Sequence, residues 1–449
     1  MSTQISARTA ASTLTGAETL GIIQGGADRR VTLALAAGDY VTPEKYGAVG
    51  DGTTDDTTAF QAALNTGAPG VFAKNTYKIT TGLTLAIEQV LFGLPRSEHG
   101  VPFPYSGPRI IFRPGAANKV CIKNGTESLI QGCGVKDMVL DLDDNSHTGI
   151  QLYTTYASLV DHVQFLGTMR IGVLISDNYE STLRSCVFHG TSVRTACIFI
   201  GVSNATTIEK LHTSVAVNDT GECLYGIAVQ AGGDICSIRD CIMQGPTIGI
   251  ATNTLTAHID SVYNENTLCC LRLGDPGTSA GIIKITGGVF TPPFNTHPQY
   301  SSRGPEIYLN CDTVTIDTPK FGDAAADAAS STGPWPILLN AGGGPQRVTL
   351  INPFHFSGAA TTYARDLLIQ KNGGTSASIV VLGSDYSHGT HHAQEIILKK
   401  AGAYNSTCYG IQVDNSGAVV TSAYTPATAA AAVNALLETN LPTGASLKL

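Results

Sequence analysis

Acidic side chains between predicted strands are the residues of this sequence best placed to do chemistry. Two carboxylates about 5–9.5 Å apart can hydrolyse a glycosidic bond, and one base beside a charge neutraliser can carry out β-elimination. The acids between apolar strands in the middle of the chain are Asp177, Glu180, Asp219, Glu222, Asp234, Glu265 and Asp275. We expect catalysis from Glu180, Asp234 and Glu265, with a solvated turn as the alternative role for each.

Aromatic and basic side chains form a second set of candidates, because they can stack on a sugar ring or donate hydrogen bonds to its hydroxyl groups. Tyr263 lies two residues before Glu265, and Trp335 is the only tryptophan of the chain. Tyr300 and Arg303 lie in a proline-rich insertion. We predict that these four residues bind substrate. Packing of loops over the body of the fold is the alternative role for Tyr300, Arg303 and Trp335.

Composition excludes several classes of protein and partner. The chain has 449 residues, of which 14% are charged and 43% are apolar, whereas an average soluble domain has roughly 25% charged residues. Helical bundles need charged outer faces and disordered chains need low apolar content, so neither class fits. The net charge of −8, without a Lys/Arg cluster, argues against nucleic acid and anionic membranes as partners. No apolar run approaches about 18 residues, so no membrane insertion is expected.

The sequence shows no sign of export or of a bound metal. Its first residues contain no apolar signal-peptide segment. The 11 cysteines follow no zinc spacing, and most fall in apolar runs where a reduced thiol packs as a small hydrophobic group. No nucleotide-binding, calcium-binding or metalloprotease motif is complete. We therefore expect reduced cysteines, folding in a reducing cytosol, and no metal or cofactor.

The middle of the chain repeats a short frame, in which an apolar residue is followed by core positions three and five residues later. Copies begin at Val135, Val160, Leu183, Ile208, Ile238 and Ile259, with looser copies at Ile285, Ile316 and Val381. Residues 349–358 match residues 158–167 position by position. Repeats of about 20–30 residues with short strands and small polar turns predict a parallel β-helix, whose coils bury their apolar side chains only by stacking. A propeller, the alternative, would need blades of about 40 residues.

One column of the repeat carries charges of alternating sign. The residues after the first frame positions are, in chain order, Lys136, Asp161, Arg184, Glu209, Arg239 and Asp260. Stacked parallel strands lie about 4.8 Å apart, so each charge should lie between two charges of the opposite sign. We predict a ladder of ion pairs along one edge, and we assign its acids a structural role.

Residues 41–64 read as a strand, a Gly/Asp turn and a short amphipathic helix. Asp55 or Asp56 should cap the helix. Its apolar face consists of Ala59, Phe60, Ala63 and Leu64. The run GDGTTDD at residues 50–56 resembles the N-terminal capping motif of the pectate-lyase-like superfamily, in the form common in bacteriophage tailspikes. The resemblance implies a right-handed parallel β-helix that begins under a helical cap.

A second resemblance concerns the residues before this motif. Residues 14–33 form a Gly-interrupted stretch that looks like the virion-attachment segment ahead of many tail fibre and tailspike bodies. The chain then divides into a virion-attachment segment (1–40), a capping helix with the first coils (41–95), the β-helix body (96–390) and a C-terminal trimerisation or receptor-binding region (391–449). A short helix is predicted over 425–437, and the resemblance implies a homotrimer.

The resemblance implies a tailspike or tail fibre protein of the virion, bound to tail or baseplate proteins through its N-terminus. Such a protein would recognise capsule or lipopolysaccharide on the bacterial surface. Degradation of that glycan by a carboxylate acid/base pair is the expected activity, and hydrolysis is favoured over a lyase reaction. A non-enzymatic adhesin or structural spike is the alternative, and the absent signal peptide disfavours a free secreted enzyme.

Overall fold

The computed structural model describes most of the N-terminal three quarters of the chain and separate strands beyond it. The described residues are 19–24, 27–32, 40–93, 107–125, 130–144, 146–189, 191–215, 223–230, 235–265, 267, 269–274, 280–291, 307–323, 337–340, 346–351, 354–357, 368–372, 377–382, 394–400, 409–413 and 419–421. The predicted helix over 425–437 lies outside them. Among the described residues, none of the helical segments could span a bilayer.

The main sheet contains 36 strands. They pair in parallel with the strands of the coils before and after them, except at the C-terminal end, where the last strands pair antiparallel. We divide it into three faces, sheets A, B and C, which successive stretches of each coil enter in turn. The chain is a parallel β-helix.

The strands of the three sheets are as follows. Sheet A holds Tyr40–Val41, Gly70–Phe72, Val90–Phe92, the starts of Gly134–Asp143 and Leu159–Ser176, Ser181–Arg184, Thr206–Glu209, Ile235–Arg239, Thr256–Asp260, Ala280–Thr286, Cys311–Asp317, Gln346–Ile351 and Ala377–Leu382. Sheet B holds Asp51–Asp55, Thr76–Ile79, Arg109–Phe112, later parts of the same two long strands, Val187–His189, His212–Ser214, Ile242–Gln244, Tyr263–Glu265, Val289–Thr291, Lys320–Asp323 and Phe354–Ser357. Sheet C holds Leu83–Leu85, Val120–Asn124, Thr148–Tyr153, the end of Leu159–Ser176, Ser192–Ile200, Tyr225–Val229, Ile248–Thr252, Cys269–Leu273, Ile307–Leu309, Ile337–Asn340, Leu368–Asn372 and Gln394–Lys400.

The register of sheet A confirms the repeat. The first frame positions pair in one unbroken column, Val135, Val160, Leu183, Ile208, Ile238, Ile259, Ile285, Ile316, Leu350 and Val381. The match of residues 349–358 to 158–167 was wrong by one residue, because it set Ile351 where Leu350 lies. Strand side chains alternate between faces, and Val348 and Leu350 are the ones buried.

A one-residue bend carries the chain from sheet A to sheet B. The second residue after each first frame position has a left-handed backbone, with φ between 50° and 54° at Asp137, His162, Ser185, Lys210, Asp240 and Ser261. Their amides still bond to the next coil, as Ser185 N–H does to the Glu209 carbonyl at 2.9 Å. Because the bend keeps its shape from coil to coil, every side chain before and after it stands in a straight column.

Among the described residues, apolar side chains fill the interior from Ala48 to Leu350. Ten described cysteines are buried free thiols, nine of them in this core, and burial raises the pKa of Cys186 to about 12. Phe165 and Phe188 stack face to face, with ring centroids 4.4 Å apart. The core is therefore a set of continuous columns rather than a separate cluster for each coil.

The N-terminal end contains the predicted helix, which runs from Thr57 to Leu64. Phe60, Ala63 and Leu64 join the same core as the first coils, and Ala59 packs against it. Asp56 occupies the N-cap position but its carboxylate accepts hydrogen bonds from the Val49 and Gly50 amides instead of capping the helix. The amide of Thr57 donates to Asp55 Oδ1 at 3.1 Å.

Several short elements complete the structure. A 3₁₀ helix spans Pro43–Tyr46, and Ile130–Gln131 pairs in parallel with Thr155–Tyr156. Before the first coil, Thr19–Gln24 and Ala27–Thr32 form an antiparallel hairpin. Near the other end, Tyr409–Val413 pairs antiparallel with both Gln394–Lys400 and Val419–Thr421. Gln394–Lys400 itself still pairs in parallel with Leu368–Asn372 of the preceding coil.

Candidate functional site

The charged column of sheet A, which we call the charge ladder, has the predicted register. All five steps from Lys136 to Asp260 pair neighbouring coils. Asp161 lies 2.9 Å from Arg184 and 3.8 Å from Lys136, and Arg239 Nε donates to Glu209 at 2.9 Å. The ladder therefore exists as register throughout and as ion pairs at these three contacts.

Asp161 is the most enclosed charge of the ladder. Its side chain is 1% exposed, and it also contacts His162 Nδ1 at 2.8 Å. Burial alone would raise the pKa of Asp161, but the hydrogen bond from Arg184 and the nearby His162 outweigh it and lower that pKa. A buried carboxylate that is paired with Arg184 and Lys136 and also contacts His162 is held as a structural charge.

The pKa of the neighbouring Asp137 is shifted in the opposite direction. Burial raises its pKa, and the charge of Asp161 adds to the effect. The carboxylates of Asp137 and Asp161 lie 3.7 and 3.8 Å from the same Lys136 nitrogen, so they are at most 7.5 Å apart. This upper limit is compatible with the separation of a glycosidase pair, which is about 5–9.5 Å. However, Lys136 lies between them and Asp161 is inaccessible, so we do not place the reaction here.

The outer face of sheet B carries a different polar column, the polar strip, which consists of His189, His212, Gln244, Tyr263 and Glu265. The alternate residues Phe188, Thr213, Met243 and Asn264 point inward and are fully buried. Gln244 pairs with Glu265 in the register of adjacent coils. The two strands therefore present Gln244, Tyr263 and Glu265 side by side on the surface.

Glu265 is held through one of its two oxygens. Gln244 Nε2 donates to Glu265 Oε2 at 3.0 Å, and the Tyr263 hydroxyl donates to the same oxygen at 3.0 Å. Burial and this hydrogen bond raise the pKa of Tyr263, so the hydroxyl keeps its proton. Within the described part of the chain, Oε1 receives no hydrogen bond. That oxygen is free to contact a water or a sugar hydroxyl.

His212 extends the strip by one coil. Its side chain is hydrogen-bonded to Gln244, whose amide nitrogen is the group that holds Glu265. Burial lowers the pKa of His212 and the charge of His189 adds to this, against the opposing effect of the Gln244 bond. The imidazole is therefore neutral near pH 7, and a chain of contacts joins it through one amide to a carboxylate.

Glu180 lies at a second place, in the turn from sheet C back to sheet A. A hydrogen bond and the charge of Glu180 raise the pKa of Tyr156. Tyr156 forms a parallel bridge with Tyr179, so the two tyrosines occupy the same place in adjacent coils. Both are solvent-accessible, at 37% and 45% exposure. We call these three residues the tyrosine turn.

A groove lies on the outer face of sheet C, next to this turn. Its volume is 370 Å³, and its lining includes Tyr153, Arg170, Leu174, Phe199 and Gln230. Leu174 and Phe199 are register partners that point outward, because Val173 and Ile198 beside them are buried. The groove therefore has an apolar floor with an aromatic, a cationic and an amide side chain around it.

The structure separates the predicted catalytic acids. Glu180 precedes the sheet A strand that lies three coils before the strand leading to Glu265. Three coils correspond to about 14 Å along the axis, so these two acids do not form a pair within one chain. Glu265 lies in the strand Tyr263–Glu265 rather than in the turn expected for it. Asp234, Tyr300, Arg303 and Trp335 lie outside the described residues.

The sequence contains a signal for the polar strip. Its members stand four or six residues after the first frame positions, which are outward positions of sheet B once the frame is known. Polar residues there contrast with Val187, Ile242 and Val289 in the same columns. The groove gave no comparable signal, because its lining comes from separate coils. Within the described ranges, no three His, Cys, Asp or Glu side chains are grouped as a metal site.

Comparison with known proteins adds sequence relatives from phages. No family model matches the chain. A capsule K30/K69-specific depolymerase of Klebsiella phage K64-1 is 28% identical over 204 residues, which are 39% of this chain and 25% of the relative. A capsule K30/K69-specific depolymerase 1 of Klebsiella phage K5-2 is 49% identical over 51 residues, 11% of this chain and 6% of the relative. The matches thus span a quarter or less of these relatives.

Solved structures support the fold. Tailspike protein 3 of bacteriophage CBA120 has a TM-score of 0.54 at 13% identity, covering 90% of this chain and 71% of that one. The enzymatically active domain of tailspike protein 2 from the same phage scores 0.50 at 14% identity, covering 82% and 50%. The A-module of a mannuronan C-5 epimerase from Azotobacter vinelandii scores 0.51 at 15% identity, covering 81% and 100%.

The predicted resemblance to phage tailspikes with a parallel β-helix body is confirmed. The sequence relatives are phage depolymerases, and the fold is shared with tailspikes. Because an epimerase has the same fold, the fold alone does not decide the reaction.

Proposed function

We propose that this chain is the body of a phage tailspike that binds and depolymerises a bacterial capsule polysaccharide. The observation that carries the proposal is the sequence similarity over 204 residues to a capsule-specific depolymerase. The polar strip supplies a group capable of the chemistry, because it presents an acid whose Oε1 is open to solvent contact beside an accessible tyrosine.

Each residue of the polar strip has a defined part in this proposal. Glu265 is the acid/base group, which protonates the leaving oxygen of the scissile bond or deprotonates the attacking water. Tyr263 holds Glu265 and offers its ring to a sugar. Gln244 and His212 are positioning residues, since they act on Glu265 through hydrogen bonds.

The assembly we propose follows the sequence resemblance. Residues 1–40 attach the protein to tail or baseplate proteins of the virion, and residues 391–449 support trimerisation. A homotrimer would also allow a second acid to come from a neighbouring subunit, because Glu180 and Glu265 of one chain are three coils apart. Assembly takes place in the host cytoplasm before the virion is released.

The test is incubation of the purified chain with capsular polysaccharides, including types K30 and K69, followed by size-exclusion chromatography. A fall in polymer length together with new reducing ends supports hydrolysis. An unsaturated product that absorbs in the near ultraviolet supports a lyase reaction instead. Unchanged polymer length with every capsule tested would contradict depolymerisation.

A binding-only adhesin is the second candidate function. The three-coil separation of Glu180 and Glu265 favours it, because a hydrolase of the usual kind needs two carboxylates near one bond. This candidate predicts measurable binding to a capsule whose polymer length does not change. The same incubation, combined with a binding measurement, distinguishes the two functions.

A further inference from the structure

We infer that the groove on sheet C binds a carboxylated sugar of the polymer, with Arg170 pairing the sugar carboxylate. This inference rests on the proposed function, since it names the chemical class of the substrate. The groove volume of 370 Å³ lies within the range of small-ligand sites, which is about 300–1,000 Å³. Such sites combine an apolar surface with a few polar groups that orient the ligand.

Arg170 is the charged side chain of the groove lining. Among the described residues, its buried Nε has no hydrogen-bond partner and its guanidinium forms no ion pair with a carboxylate. This distinguishes it from the ladder cations, which have acids beside them. A buried donor without a partner costs free energy, and a ligand that brings an acceptor removes that cost.

The shape of the guanidinium selects the kind of acceptor. Its planar set of N–H donors matches the two oxygens of a carboxylate, and paired charged hydrogen bonds are stronger than those to a neutral hydroxyl. Among the described residues, those that line the groove include no Asp or Glu that would repel an anionic ligand. A neutral sugar would bring no charge to pair with the guanidinium.

The rest of the groove suits a sugar ring. Leu174 and Phe199 form a floor for its apolar face, and Tyr153, which is 37% exposed, also lines the groove. The Gln230 amide can donate to and accept from hydroxyl groups. The ligand therefore has a flat apolar side, several hydroxyls and one carboxylate, which describes a uronic acid or another acidic hexose.

The tyrosine turn continues the groove beyond Tyr153. The two turns that carry Tyr156 and Tyr179 share one backbone shape, with φ of 49° and 55° at Thr154 and Ala157 in the first. The second has φ of 51° and 55° at Asp177 and Glu180. Because the shape repeats, the two tyrosines stand about 4.8 Å apart and form a platform over which the polymer can leave the groove.

The test measures binding with the Glu265→Gln chain, so that cleavage does not consume the ligand. Capsular polysaccharides, including types K30 and K69, are titrated in native form and after chemical reduction of their carboxyl groups to alcohols. At least one native polymer should bind about tenfold or more tightly than its reduced form. Arg170→Gln should remove this preference, and Arg347→Gln, a change of an exposed arginine on sheet A, should preserve it.

Further variants keep the test decisive. Tyr153→Ala should weaken the binding of both forms of the polymer by the same factor, because it removes a contact with the ring and no charge. If thermal unfolding shows that Arg170→Gln does not fold, Arg170→Lys keeps the charge without the planar donors and should lose most of the preference.

Three results would overturn the inference: equal affinity for the native and reduced forms, an equal loss for both forms in Arg170→Gln, or binding of none of the polymers. Selective binding of the acidic form by a chain that cleaves nothing would leave the inference standing and contradict depolymerisation. Cleavage without a preference for the acidic form would support depolymerisation and contradict the inference about Arg170.

Discussion

The charge ladder and the polar strip are two polar columns on the same coils, and they differ in how their charges are satisfied. In the ladder, Asp161 is buried against Arg184, Lys136 and His162. In the strip, Glu265 is held through a single oxygen by two neutral groups. A periodic polar column can therefore stabilise the stack or face a ligand. A polar column stabilises the stack when neighbouring coils supply a partner for each charge, and it can face a ligand when they do not.

The largest expected effect tests the strip. Glu265→Gln keeps the shape of the side chain and its contacts with Gln244 and Tyr263 but cannot transfer a proton. We expect the rate of capsule cleavage to fall by about 100-fold or more, with the thermal unfolding temperature unchanged. The rate is measured from new polymer ends, and unaltered cleavage would remove Glu265 from the reaction.

The next effect tests the ladder. Asp161→Asn leaves the cations of Arg184 and Lys136 beside a buried amide, so we expect the free energy of unfolding to fall by about 2–3 kcal/mol. Cleavage by the folded protein should stay the same. Asp260→Asn is the matched control, because Asp260 is exposed and should cost less than about 0.5 kcal/mol. Equal losses for the two variants in urea unfolding would show that burial does not distinguish the ladder acids.

A smaller effect concerns the contact between Tyr263 and Glu265. Tyr263→Phe removes one hydroxyl that donates to the carboxylate and keeps the ring. We expect cleavage to slow by about tenfold and the affinity for polymer to be nearly unchanged. A larger loss of affinity than of rate would make Tyr263 a binding residue only.

The smallest effect is a dependence of stability on pH. Since the pKa of His212 is lowered in the folded protein, the unfolded chain takes up the proton first as the pH falls below about 6.5. Stability is therefore fully present above that pH and decreases as the pH falls towards the lowered pKa. Urea unfolding at pH 7 and at about pH 5.5 should show a smaller decrease for His212→Asn than for the unaltered chain.

His147 provides the control for this experiment, because burial also lowers its pKa at a site outside the polar strip. His147→Asn should remove the part of the pH-dependent loss of stability that comes from His147 and leave the part that comes from His212. The same pH dependence in His212→Asn and in the unaltered chain would contradict the lowered pKa of His212.

The parts of the structure that could be predicted from the sequence are those in which the same packing recurs from coil to coil. The column from Val135 to Val381 and the ladder from Lys136 to Asp260 follow from residue spacing, because stacked coils impose the same position on each copy. The copy at residues 349–358 was displaced by one residue because both Leu350 and Ile351 are apolar and only the fold shows which is buried.

The functional face was harder to predict, for a physical reason. Outward side chains of the body have no core packing to fix their type, so the sequence pattern predicts a turn for Glu265, whereas the structure places it in a strand. The contacts of Glu265 with Gln244, and of Gln244 with His212, join three coils that are distant in sequence. Likewise, Arg170 becomes notable only when the structure shows it in a groove where none of the described residues is an acidic partner.

A crystal structure of the Glu265→Gln chain with a capsule oligosaccharide tests the division between the two columns most directly. The account predicts sugar density over the outer face of sheet B, with a sugar hydroxyl or glycosidic oxygen within hydrogen-bond distance of the side chain at position 265. Density that contacts the charge ladder at Asp161 and Arg184, with sheet B left bare, would contradict it.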